Sequence, residues 1–140
     1  MYKYLGIDFG LKRIGLSITD QEKIFAFPLT TIKYNNAFNF FKDLFLKEKV
    51  SKVIIGYPKR LSGVDSDIES SIKIFIKKFK KQFPAIEIER FDERFTSKLA
   101  SKVILSSGLG KKKRSKKSLI DKVSATIILQ DYLTFNKSNL

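Results

Sequence analysis

Three short strand-like runs open the chain, and the segments between them are too short for anything but antiparallel neighbours. Tyr4 to Asp8, Arg13 to Thr19 with alternating Ile14, Leu16 and Ile18, and Ile24 to Leu29 carry the apolar patterning of strands. The joining segments are only Phe9 to Lys12 and Asp20 to Lys23. A parallel crossover takes about a dozen residues or more, so neither segment can make one. The chain is therefore expected to begin as a three-strand meander.

Helix and strand patterns then alternate. Phe38, Phe41, Leu44 and Phe45 recur at helical spacing between Asn36 and Val50, and Lys52 to Gly56 reads as a short strand. After a loop from Tyr57 to Ser66, the residues Ile68, Ile72, Phe75, Ile76 and Phe79 mark an amphipathic helix that Pro84 ends. Ile86 to Phe91 returns as a strand. Thr96 reads as the N-cap of a helix reaching about Ser107, with Gly108 as its stop, and a basic loop from Lys111 to Lys117 precedes a last helix. This order predicts an α/β protein: a mixed five-stranded sheet, three antiparallel strands then two further strands, flanked by helices in the ribonuclease H-like order. The 140 residues suit one domain spanning 1–140, with no internal repeat and no Pro- or Ser-rich linker.

Composition narrows the chemistry. There is no cysteine and no histidine, which excludes disulfides, thiolate or imidazole metal sites, cysteine nucleophiles and a Ser-His-Asp triad. Hydrolysis would have to run on carboxylates, lysine, hydroxyls or a hard metal ion. Lys and Arg number 28 against 14 Asp and Glu, a formal net charge of +14, and such a surplus favours a polyanionic partner, nucleic acid first. No run of ~18 apolar residues is present and an acid stands at position 8, so the expectation is a soluble cytoplasmic protein without a membrane partner.

Three acids stand at the ends of three predicted elements. Asp8 lies in Gly6-Ile-Asp-Phe-Gly10, an ionised side chain in an otherwise apolar strand, which is costly unless it is paired or binds a cation. The flanking glycines would let a phosphate or a metal approach the backbone. Glu93 closes the fifth strand in Phe91-Asp-Glu-Arg-Phe-Thr96, where residues 91, 93 and 95 share a face while the strand persists. Asp121 follows Ser118 at capping-box spacing, in the first turn of the last helix. Each has a structural alternative: a hydrogen bond to the following turn for Asp8, an ion pair with Arg90 or Arg94 for Glu93, and a helix start for Asp121. Together they could hold Mg²⁺ or Mn²⁺, which take oxygen ligands and need no histidine.

Four motifs carry a family resemblance: Asp8-Phe-Gly-Leu-Lys-Arg-Ile-Gly-Leu-Ser17 with Asp20; Gly56-Tyr-Pro58 with Gly63; Asp92-Glu-Arg-Phe-Thr-Ser97; and Ile120-Asp-Lys-Val-Ser-Ala-Thr-Ile-Ile-Leu-Gln-Asp-Tyr-Leu133. Together, from about residue 3 to 134, they resemble the YqgF/RuvX family. The resemblance implies a ribonuclease H-like nuclease related to the RuvC resolvases, acting in 5′-end maturation of pre-16S ribosomal RNA, with members also described as Holliday junction resolvases. It places the acidic site on Asp8, Glu93 and Asp121. Tyr57 stands where the family commonly has Leu, and Ser62 where it has Asp, both in the expected substrate loop.

Around the acids, Arg13 and Arg94 are candidates to orient the scissile phosphate or the carboxylates, since a guanidinium can make two parallel hydrogen bonds where lysine offers a point charge. Lys111, Lys112, Lys113 and Arg114 would grip phosphates beyond the cut, and Tyr57 could stack on a base. The expected partner is structured RNA, including pre-16S rRNA within a ribosomal precursor, bound by a monomer or weak homodimer. Three other classes stay open. A DNA junction resolvase should be dimeric to cut symmetric strands. A non-catalytic RNA- or ribosome-binding module would bind without metal. An actin-like phosphotransferase shares the Gly-Ile-Asp-Phe-Gly pattern but needs two such domains.

Overall fold

The computed structural model describes residues 2–57, 65–92 and 113–138. Five strands, β1 (Lys3–Phe9), β2 (Arg13–Thr19), β3 (Ala26–Lys33), β4 (Val50–Gly56) and β5 (Glu87–Phe91), form one mixed sheet in the order β3-β2-β1-β4-β5. β1 pairs antiparallel with β2, and β2 with β3, whereas β1–β4 and β4–β5 are parallel. The meander and the two further strands are thus as expected. A single turn of 3₁₀ helix (Tyr34–Asn36) leads into α1 (Ala37–Lys47), and α2 (Asp65–Gln82) and α3 (Lys113–Ser138) complete the described elements.

Alternation along the strands sends side chains to two cores, one on each face. On one face Leu5, Ile7, Ile14, Leu16, Val53 and Ile55 pack against Phe41 of α1 and Phe75 and Phe79 of α2. On the other, Ile54 and Phe91 meet Ile128, Leu129, Tyr132 and Leu133 of α3. The phenylalanines at helical spacing accordingly build the first core, Phe41, Phe75 and Phe79 fully buried and Phe38 and Phe45 against them.

β4 begins at Val50, two residues before the expected Lys52, and two larger boundary differences stand beside it. The third strand runs Ala26–Lys33 instead of Ile24 to Leu29. Ile24 belongs to the turn, because Asp20 Oδ1 accepts the backbone N–H groups of Ile24 and Phe25 at 2.8 and 3.0 Å while Lys23 takes φ 58°. Beyond it, Pro28 does not stop the strand. β3 lies at the sheet edge, where a missing N–H is tolerated, and the register slips there: Leu16 opposes Thr30 and Ser17 opposes Pro28.

The second difference is larger. α3 is 26 residues long and begins at Lys113, so most of the expected basic loop, Lys113 to Lys117, is helical. Ser118 is no N-cap and Asp121 lies in the third turn, not the first. Lys and Arg are good helix formers, and no Gly or Pro interrupts the chain after Gly110, so propensity carries the helix back past the capping-box pattern. The helix expected over 96–107 lies outside the described residues.

Candidate active site

A length match between helix and strand sets the site. On β1, Tyr4, Gly6 and Asp8 face α3, two residues apart and ~6.6 Å per step. On α3, Tyr132, Leu129, Ala125 and Asp121 form one stripe with steps of three or four residues, ~4.5–6 Å. The helix runs antiparallel to β1: Tyr132 meets Tyr4 edge-on with ring centroids 6.3 Å apart, and Gly6 lies under Leu129 and Ala125. One step further along each element brings Asp121 to the end of β1 that bears Asp8.

Glycines make this approach possible. A Cβ on Gly6 would come within 2.9 Å of the Ala125 carbonyl and 2.8 Å of Leu129 Cβ, and one on Gly15 would overlap the Asp121 carbonyl. Gly15 is the direct partner of Asp8 in the β1–β2 ladder. Asp121 therefore rests on the residue beside Asp8, and opposed residues of an antiparallel pair stand only ~4.5–5.5 Å apart. Ser17 fixes the seat by donating to the Ala125 carbonyl at 2.7 Å. Gly10, in turn, is hemmed in by the Arg13 carbonyl, 2.5 Å from where its Cβ would stand. The glycines flanking Asp8 are thus occupied by packing, where the sequence suggested room for a phosphate or metal.

Arg13 opens β2 on the same face and donates through Nε to Asp121 Oδ2 at 2.7 Å. With Asp121 in the third turn, this bond takes the place of the helix dipole as what aims the carboxylate. Of the two roles considered for Arg13, orienting a carboxylate is the one seen. Asp8 is half-buried, as is Asp121. Both offer hard oxygen donors, the chemistry a divalent cation such as Mg²⁺ or Mn²⁺ requires. Among the described residues no group of three acids is assembled. Glu93, the expected third, lies outside them, as do Arg94, Lys111 and Lys112. Lys113 and Arg114 begin α3.

Tyr57 directly follows β4 at the same carboxyl edge, its N–H bonded to the Phe91 carbonyl at 2.8 Å and its side chain exposed. A residue the sequence offered only as an ion-pair partner for Glu93 holds its ring: the Arg90 guanidinium lies 4.1 Å from the ring centroid. Arg90 donates to both carboxylate oxygens of Glu69, at 2.6 and 3.2 Å, and to the carbonyls of Ile55 and Gly56. That pairing holds the Glu69 carboxyl below its ordinary range. The available signal was alternation, since Ile88 and Arg90 share the face of β5 that looks toward α2.

The family model RuvX, described as Holliday junction resolvase, matches residues 2–135. The chain belongs to the RuvX family. Within it, a Flavobacterium psychrophilum protein named "Putative pre-16S rRNA nuclease" is 52% identical over 134 residues, covering 96% of this chain and 98% of its own. A Flavobacterium johnsoniae protein of the same name is 49% identical, over 96% of this chain and 97% of its own. Among solved structures, Thermus thermophilus RuvC in complex with a Holliday junction substrate superposes with TM-score 0.54 at 10% identity, covering 98% of this chain and 96% of that one. The RuvX fold is that of the resolvases, ribonuclease H-like, and this RuvX chain is a nuclease, a nucleic-acid-binding hydrolase of phosphodiester bonds.

Proposed function

We propose that this chain is a Mg²⁺- or Mn²⁺-dependent nuclease, one domain over residues 1–140, that matures the 5′ end of pre-16S rRNA in the cytoplasm as a monomer or weak homodimer. The observation that carries this reading is the seating of Asp121 on Gly15, beside Asp8, with Arg13 fixing the carboxylate. The RNA is argued from the relatives' name, and metal from two hard carboxylates in a chain without histidine or cysteine. Asp8 and Asp121 would hold the metal with Glu93. When bound, it would lower the pKa of the attacking water and stabilise charge on the phosphate. Arg13 keeps Asp121 in one orientation. Arg94 and the basic residues Lys111, Lys112, Lys113 and Arg114 would take phosphates around the cut.

The test is cleavage of a labelled precursor-16S 5′-leader RNA and, separately, of a four-way DNA junction, each with Mn²⁺, Mg²⁺ or EDTA. Metal-dependent cutting of the RNA, reduced about 10²-fold or more by Asp8→Asn and by Asp121→Asn, is expected, because loss of a ligand removes several kcal/mol of charge stabilisation. Cutting of the junction alone would move the substrate to branched DNA, the activity in the family's description. RNA binding without metal and without cutting would leave a binding module.

A further inference from the structure

The carboxyl edge of the sheet has two sides. Asp8 and Asp121 lie toward α3, whereas Arg90 and Glu69 lie toward α2, with Tyr57 between the strand end and solvent. The β1–β4 ladder pairs Ile7 with Ile55, so Asp8 is level with Gly56 and Tyr57 is the next residue along. Neighbouring strands are ~4.8 Å apart and each residue rises ~3.3 Å, which puts the Tyr57 backbone ~6 Å from that of Asp8, on the diagonal.

Arg90 has little capacity left to bind a substrate phosphate. Nε, Nη1 and Nη2 all donate, to one carboxylate and two carbonyls, and the side chain is only 16% exposed. The guanidinium carbon lies over the Tyr57 ring, 4.1 Å from its centroid. The aromatic ring is thereby backed on one side by a planar cation that is itself locked to α2 and to β4. The ring remains 43% exposed. A tyrosine anchored by its own backbone hydrogen bond and by a fixed partner has few rotamers to lose on contact with a ligand.

The geometry points to a base-stacking platform: Tyr57, with Arg90 and Glu69 as positioning residues, takes an unpaired nucleobase next to the scissile phosphate. A base inside a duplex has both faces covered by its neighbours, so the platform selects a single-stranded or splayed nucleotide. This rests on the nuclease reading only for where the scissile phosphate lies. Binding of the base itself needs no cleavage.

The experiment is binding of a short single-stranded RNA carrying 2-aminopurine, in EDTA, by full-length protein, following fluorescence quenching, with the same strand in a duplex as comparison. The wild type is expected to quench and bind the single strand in preference to the duplex. Tyr57→Leu should abolish the quench and weaken binding about 5- to 150-fold, the range of ~1–3 kcal/mol for one stacked base. Tyr57→Phe should retain both. Arg90→Lys keeps the charge but loses the planar fork, and should weaken the quench while its melting temperature shows the chain still folded. Binding in EDTA is independent of any metal held by the acids, which separates the platform from them. Equal binding by wild type and Tyr57→Leu, or equal quenching of single strand and duplex, would overturn the platform. A normal quench in Arg90→Lys would overturn the role given to Arg90. A chain that stacks the base yet cuts nothing would count against the nuclease reading and leave the platform standing.

Discussion

Arg13 is the residue on which the aim of the site depends. It is part-exposed, so its pairing with Asp121 contributes little to folding; if Asp121 holds metal as proposed, a group that orients it is worth about 10–100-fold in metal affinity or activity, as such partners commonly are. Arg13→Gln is expected to lower metal-dependent cleavage by about that factor with unchanged melting temperature, measured by single-turnover cutting and calorimetry. Glu69 adds a pH dependence. Its folded pKa lies below the ordinary 4.5, because Arg90 bonds to the ionised form. The unfolded chain therefore binds the proton more readily, and stability from this pair is present above about 4.5 and lost as pH falls through the lower folded value. Melting temperatures taken across that acid range should fall, and Glu69→Gln should flatten its share of the fall. Asp8 is legible from sequence as an acid near a strand end, and Asp121 as an acid of the last helix, although not in its first turn. Their neighbourhood is not, because it depends on an Asp8–Gly15 pairing and a helix seat 108 residues away from β2. Sequence offers Arg90 only as an ion-pair partner for Glu93, and it takes the register of β4 with β5 and the place of α2 to reveal Tyr57 and Glu69 as its partners.

The helices that carry the site differ in how far periodicity reveals them. α1 and α2 have one apolar face and one polar face, so spacing alone locates both. α3 has no such contrast: its outer half is lysine-rich and its seat on the sheet is made by Gly6, Gly15, Ser17 and Ala125, residues too small to register as a stripe. Its start is hidden from sequence for that reason, as the end of β3 is hidden by Pro28. The close seat gives an expectation about stability. Gly6→Ala forces a methyl against the Ala125 carbonyl and Leu129, and overpacking of this kind typically costs ~1–3 kcal/mol. Urea denaturation should show the midpoint falling accordingly, and cleavage should fall with it, since the same shift lifts Asp121 away from Gly15.

At the scale of the whole molecule, the +14 charge makes binding a matter of displaced counterions. Affinity for RNA is expected to fall linearly with salt on logarithmic axes. Neutralising Lys111, Lys112, Lys113 and Arg114 together should reduce the slope by up to ~0.7 for each phosphate that is no longer neutralised, read by filter binding over a salt series, with the rate of bound-substrate cleavage little changed. The two-sided sheet has a consequence for assembly. The meander with α1 and α2 is built largely from neighbours in sequence, whereas the Arg13–Asp121 bond closes a separation of 108 residues. Loop-closure entropy delays such long-range pairings, so a chain can gain its phenylalanine-rich half early and its acid pair late. Incompletely folded copies would then carry a hydrophobic core, an affinity for RNA and no cutting power. On that order of events, the power to cut would come only with the last long-range pairing.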